Sequence, residues 1–166
     1  MVYLIICYFF FMKFWFDVDA ASRDVKEVCY RASERLKLET VLVANQRLQL
    51  PLGYVYLAAI RVDGGPDVAD LYIAEHASAG DVAVTADIPL ASRCVKAGAE
   101  VISPDGRPFT EQSIGMTLAV RNLMNDLRSA GEVTGGPRPF SPRDRSAFLS
   151  ALDQAIRRLQ RARPKD

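Results

Sequence analysis

"FWFDVDAAS", residues 14–22, decides how the rest of the chain is read. An aromatic run passes directly into Asp17 and Asp19, and Ser22 follows as a good helix cap. Bulky aromatic residues suit a pleated, buried strand. Acids at alternate positions of an extended segment face the same side. The end of such a strand is a stiff platform, so the two carboxyls have three possible tasks. They hold a metal, they attack a phosphate, or they cap the helix that follows.

Short apolar runs alternate with amphipathic stretches outward from this point. That alternation is the mark of an α/β domain with a largely parallel sheet. Strands are expected over residues 12–17, 40–44 ("TVLVA"), 55–62 ("VYLAAIRV"), 82–86 ("VAVTA") and 100–103 ("EVIS"). Helix one runs from the Ser22 cap to about Leu36, with Val25, Val28, Cys29, Ala32 and Leu36 at helical spacing. Helix two opens at Pro66 or Asp67 and stops at Gly80, and helix three runs from residues 87–89 to Gly98. Helix four is capped by Thr110 and reaches about Ala130. The last helix reads "SPRD", with Ser141 as cap, Pro142 at the first helical position and Asp144 three residues on. The prediction is a three-layer α/β domain over residues 12–160, with a mainly parallel central sheet of about five strands and a basic tail at 161–166.

Residues 1–11, "MVYLIICYFFF", carry no charge. The run is short for a spanning helix, lacks the basic start of a secretory signal, and favours strand formers. The expected functional start is Met12, with the first eleven residues as an apolar extension and no membrane partner. With 166 residues, 49% hydrophobic and 25% charged, the chain has the balance of one globular domain. A formal net charge of +1 gives no general mandate for nucleic acid, so any such contact must come from a local patch. Cys7, Cys29 and Cys94 stand apart, and His76 is the single histidine. That count disfavours a Cys/His zinc site and suits a reducing, cytoplasmic setting. A hydrolytic triad would need His76, which reads as a mid-helix surface residue. Small α/β domains often pair through helix faces, so a homodimer is left open.

Ligands of open α/β sheets gather beyond the carboxyl ends of the strands. Asp17 and Asp19 follow strand one, Asn45 and Gln46 strand two, Asp67 and Asp70 strand three, and Thr85 and Asp87 strand four. Parallel strands would bring all of them to one edge. Carboxylates converging there repel one another unless a cation sits among them, and oxygen ligands suit Mg²⁺ or Mn²⁺. Such an ion serves phosphodiester cleavage. Each acid also has a capping explanation: Asp19 or Ser22 for helix one, Asp67 with Asp70 for helix two, and Asp87 for helix three. Asp17 resists it, because a lone ionised carboxylate ending a buried strand is costly. Asn45 and Thr85 are uncharged candidates for substrate contact or loop ties. Arg47, and Arg138, Arg143 and Arg145 in "TGGPRPFSPRDR" (134–145), are candidate phosphate contacts or a solvated basic helix start.

"DVDAA" (17–21), "VANQ" (43–46), "DVAD" (67–70), "TADIPLA" (85–91) and "TGGPRPFSPRDR" (134–145) occur in an order and spacing that resembles the YaiI/YqxD family of bacterial proteins. The resemblance covers about residues 12–155, and the family begins at the position of Met12. The family is regarded as similar to PIN-like nucleases, which cut RNA or DNA with Mg²⁺ or Mn²⁺ held by acids at a parallel sheet edge. The resemblance therefore implies a PIN-like fold, with Asp17, Asp19, Asp70 and Asp87 as the catalytic, metal-facing acids and Asp67 as a helper. It also implies RNA or single-stranded DNA as partner. The family usually reads Asp-Ala-Asp-Ala-Cys-Pro after its first acids, whereas Ala21 and Ser22 stand here in place of its Cys and Pro.

Two further readings stay open. "FDVDA" resembles the Asp-x-Asp signature of haloacid-dehalogenase phosphatases, with Asp17 as nucleophile and Asp19 as acid/base, although Ala21 stands where that signature has Thr. The other is a non-catalytic module that binds nucleic acid or protein on a PIN-like scaffold.

Overall fold

A computed structural model describes residues 12–19, 21–65, 67–132 and 138–162. Six strands form a single sheet: β1 (Phe14–Asp17), β2 (Thr40–Ala44), β3 (Leu57–Arg61), β4 (Val82–Val84), β5 (Glu100–Ile102) and β6 (Pro108–Phe109). Their order is β3-β2-β1-β4-β5-β6. The first five are parallel, and β6 returns antiparallel to β5. β6 was not expected: two residues carry no periodicity, and Pro108 is tolerated because β6 is an edge strand.

β1 sits at the centre and alternates its side chains between two cores. Phe14 and Phe16 join Leu42, Val82, Val84 and Ile102 in the first, with Val25, Val28, Cys29 and Ala32 of α1 (Arg23–Leu36) and Phe148, Leu152 and Ile156 of α5 (Pro142–Ala162). Trp15 joins Val41, Val43, Ala83 and Val101 in the second. That core is closed by Ala69 and Ile73 of α2 (Val68–His76), Leu90, Ala91 and Cys94 of α3 (Ile88–Lys96) and Ile114 of α4 (Glu111–Ser129). The result is three layers, with α1 and α5 on one face of the sheet and α2, α3 and α4 on the other. The arrangement is that of a PIN-like α/β domain. Among the described residues, no helix is long and apolar enough to cross a membrane.

Helix ends follow local chemistry. The Val25 amide donates to Ser22 Oγ, so Ser22 and not Asp19 caps α1. Lys37 ends α1 in the left-handed region, at φ 51°, a place more often given to glycine. α2 is shorter than its sequence suggested: it stops at His76, and Gly80, at φ 97°, serves a later turn instead. His76 is thus the last residue of α2, exposed, and stacked on Tyr72 with ring centroids 3.9 Å apart. Thr110 and Ser113 cap α4 reciprocally. Asp144 accepts the Ser141 amide and hydroxyl, each at 2.8 Å, while its own amide donates back to Ser141 Oγ at 3.2 Å. The extension at 1–11, Cys7 and the end of the tail at 163–166 lie outside the described residues.

At the opposite edge from the strands' carboxyl ends, buried Asp81 ties β1 to β4. It accepts the Lys13 amide (3.1 Å), Trp15 Nε1 (3.0 Å) and the Ser78 amide (3.1 Å).

Candidate active site: the carboxylate rim

β1 is flanked by β2 on one side and β4 on the other, and successive crossovers leave it in opposite directions. The gap between β1 and β4 is therefore the topological switch point, where α/β sheets open a crevice for ligands. Asp17 ends β1 in that gap. It shares a face with Trp15, so its carboxyl is on the side covered by α2 and α3. Phe16 pairs with Val84, which sets Thr85 across from Asp17. The Thr85 hydroxyl donates to Asp17 Oδ2 at 3.4 Å, and the Asp87 amide donates to Thr85 Oγ1 at 2.9 Å. Thr85, read from sequence as a loop tie or a substrate contact, is buried and links the two acids.

The other acids arrive on separate elements. Asp87 caps α3, its Oδ1 accepting the Leu90 amide at 2.9 Å. Asp70 lies in the first turn of α2. Asp67 occupies the capping position of α2 without a side-chain capping bond. Asp19 Oδ2 accepts the Asn45 amide at 3.0 Å, which joins the loop after β1 to the loop after β2.

Electrostatics shows that these groups feel one another. The Asp17 carboxyl is pushed up by burial, then by the charges of Asp19 and Asp87, against a smaller opposing effect of the Thr85 hydrogen bond. Asp70 is pushed up to about 6, by burial first and then by Asp17, Asp87, Asp67 and Asp19 in turn. The nearby Cys94 thiol is raised to about 12 by burial and then by the Asp70 charge, so it stays protonated and is no nucleophile. Among the described residues none of the five acids forms an ion pair; arginines pair instead with Glu27, Asp153, Asp63, Asp105, Asp144 and Glu100.

The donor set is oxygen only, carries uncompensated negative charge and is partly dehydrated at Asp17. Oxygen donors of that kind are the ligand type that hard divalent cations take. With the side chains as they lie, no group of three among the described residues stands close enough to share one ion. Asp19 and Asp87 are instead turned toward backbone amides.

The basic candidates separate from the acids. Arg47 is exposed in the loop after β2, near the rim's Asn45. Arg138 donates both guanidinium nitrogens to Asp144, at 2.8 and 2.7 Å, and so braces the start of α5. Arg143 and Arg145 are exposed on the first turns of α5, on the sheet face opposite Asp17. Arg145 there meets Arg31 and Arg35 of α1 across a groove. Sequence reading passed over those two α1 arginines, because a basic helix face is usually plain solvated surface.

An α/β domain with acids gathered at its switch point defines the class. Residues 15–158 match the family described as "Uncharacterized BCR, YaiI/YqxD family", and the chain belongs to that family. It is 62% identical over 146 residues to a UPF0178 protein of Bradyrhizobium diazoefficiens, covering 88% of this chain and 87% of the relative. A UPF0178 protein of Nitrobacter winogradskyi is 61% identical over 145 residues, covering 87% of this chain and 92% of the relative. A third, from Azorhizobium caulinodans, is 61% identical over 145 residues, covering 87% and 91%. No solved structure matches the chain.

Proposed function

We propose that the protein is a divalent-metal-dependent nuclease acting on RNA or single-stranded DNA. The observation that carries this reading is the hydrogen-bonded chain Asp17–Thr85–Asp87 at the β1/β4 crevice, with Asp70 and Asp19 in electrostatic reach and no guanidinium or ammonium partner among the described residues. Asp17 and Asp87 would hold Mg²⁺ or Mn²⁺, with Asp19, Asp70 and Asp67 completing its surroundings. When bound, such an ion lowers the pKa of water and neutralises charge building on phosphate oxygens.

The remaining work falls to the chain's own groups. Thr85 fixes the Asp17 carboxyl and thereby its lone-pair direction. Asp70 would orient the attacking water and receive its proton at a carboxylate oxygen. Asn45 and Arg47, on the loop beside Asp19, would meet the scissile phosphate and its neighbour. Asp17→Asn should abolish Mn²⁺-dependent cleavage of a labelled single-stranded oligonucleotide while circular dichroism stays that of the wild type. Undiminished cleavage by that variant overturns the proposal.

The separation of the carboxylates favours one second reading, a binding module without catalysis. Calorimetric titration with Mn²⁺ decides between the two. Heat of binding that disappears in Asp17→Asn supports the nuclease, and its absence in a protein that still binds RNA supports the module.

A further inference from the structure

The face of the sheet opposite Asp17 carries a groove that the carboxylate rim does not explain. It lies between α1 and α5, has a volume of about 260 Å³, and is lined by Glu27, Val28, Arg31, Ala32, Arg35, Arg145 and Leu149. Its walls hold three guanidinium groups against Glu27, with Asp153 beside Arg35, and its floor is apolar. Arg31 is paired with Glu27 at 2.6 Å, and Arg35 reaches Asp153 at 3.4 Å. The Arg145 side chain makes no hydrogen bond or ion pair among the described residues, although its amide donates to Ser141. Arg145 is therefore the groove's surplus positive charge, flanked by two arginines whose paired acids are exposed.

We infer that this groove is a backbone exosite: it holds a phosphodiester of single-stranded nucleic acid between Arg31, Arg35 and Arg145, with the adjoining sugar against Val28, Ala32 and Leu149. The assignment rests on the nuclease reading for its choice of polymer. The volume falls below the ~300–1,000 Å³ of pockets that enclose a whole small ligand, which suits one unit of a longer strand. Arginine is apt here because its planar fork matches phosphate oxygens in pairs. The two sites also connect. α1 starts at Arg23, four positions after Asp19, and at ~1.5 Å rise per residue Arg31 lies roughly 12 Å along the helix from Arg23. A strand lying over the carboxyl edge of the sheet thus passes from the acids, past the start of α1, into the groove. The weak, exposed Arg31–Glu27 pair gives way to the phosphate, because such pairs contribute little.

The test measures binding without catalysis. A fluorescein-labelled 12-nucleotide single strand is titrated by anisotropy, in EDTA, with wild type, the double variant Arg31→Gln/Arg145→Gln, and Arg121→Gln/Arg128→Gln. The last pair changes charge equally on α4, across the sheet. Loss of two of the three guanidinium groups on that phosphate should weaken binding roughly tenfold and lower the salt slope by about 0.7 for a single strand. The α4 pair should bind as wild type does. Equal weakening by both arginine pairs would reduce the effect to net charge and overturn the exosite, as would unchanged affinity in the groove variant or no binding by the wild type. Displacement of the strand by a nucleoside monophosphate as readily as by unlabelled strand would assign the groove to a free nucleotide and overturn it too. A wild type that binds through the groove but never cleaves with Mn²⁺ would leave the exosite standing and remove the nuclease reading.

Discussion

Asp17, at the end of β1, raises the pKa of Asp70 on α2 more than any other neighbouring charge does, second only to the effect of burial. Fifty-three positions of sequence separate a strand end from a helix start, yet the fold sets them in one field. The consequence is a pH dependence with a definite sign. Asp70 titrates near 6 in the folded protein, above its ordinary 3.8. The native state therefore holds that proton more firmly than the unfolded chain between those values. Stability in metal-free buffer should fall as pH rises from about 4 to about 6 and then level off. Asp70→Asn removes the repulsion. Because the group is part-open to solvent, the gain is about 1 kcal/mol at pH 8 and absent at pH 4. Urea unfolding at the two pH values checks both numbers; equal gains at both would show that Asp70 does not share its field with the other acids.

The same repulsion predicts stabilisation by a cation. Mn²⁺ at about one hundred times its dissociation constant should add about 2.7 kcal/mol, by binding the folded state alone. The melting temperature should rise with Mn²⁺ in the wild type, and rise little in Asp17→Asn or Asp87→Asn. For Asp87→Asn the baseline matters as well, since the carboxylate also caps α3 through the Leu90 amide. Asparagine keeps the acceptor oxygen, so the cap survives and the comparison isolates the charge.

Arg138 and Asp144 give the opposite pH dependence. The Arg138 guanidinium, then the Ser141 hydroxyl and amide, hold the Asp144 carboxyl well below the usual carboxylate range. A depressed pKa contributes stability above the unfolded value near 4, which is lost as pH falls below it. Arg138→Gln should flatten that acid limb of the melting curve and lower the melting temperature at pH 7, with α5 still formed. Circular dichroism melts between pH 2 and 7 provide the check. An unaltered acid limb would mean that Ser141 alone sets the Asp144 carboxyl.

Much of this architecture was legible in the sequence, and the failures have physical causes. Strand two was read at residues 40–44, as observed, because "TVLVA" is an unbroken buried run between polar breaks. Helix one and the last helix announced themselves through Ser22 and Ser141. α2 was overextended, since Gly80 resembles a helix stop while the real end at Ala77 has extended backbone and no glycine. Parallel topology carried Asp17, Asp70 and Asp87 to one edge by inference, but whether each was a cap or a ligand could not be read from spacing. The structure makes Asp87 a cap and a rim acid at once. Arg31, Arg35 and Arg145 were out of reach for another reason. Their meeting depends on how α5 lies against α1, a packing relation that neither helix's periodicity encodes.

Asp81 provides the last prediction, and the sole tryptophan reports it directly. Its carboxylate is buried at 4% exposure and accepts two backbone amides and Trp15 Nε1 from β1 and the turn before β4. Asp81→Ala removes the acceptor and leaves the indole N–H buried without one. Charge-assisted hydrogen bonds contribute about 1.5–3 kcal/mol each in net terms, and an orphaned donor adds its own penalty. Two of the donors can turn to water at the edge of the sheet, so the expected loss is about 3 kcal/mol. Asp81→Asn keeps one acceptor oxygen and should lose about half of that. Trp15 emission should change in Asp81→Ala under native conditions, because the indole loses its polar partner, and urea unfolding followed at that emission gives the stability in the same experiment. Emission and midpoint unchanged from the wild type would mean that β1 and β4 are held by their ladder and cores alone. The rim at the far end of the same two strands would then owe nothing to this lock.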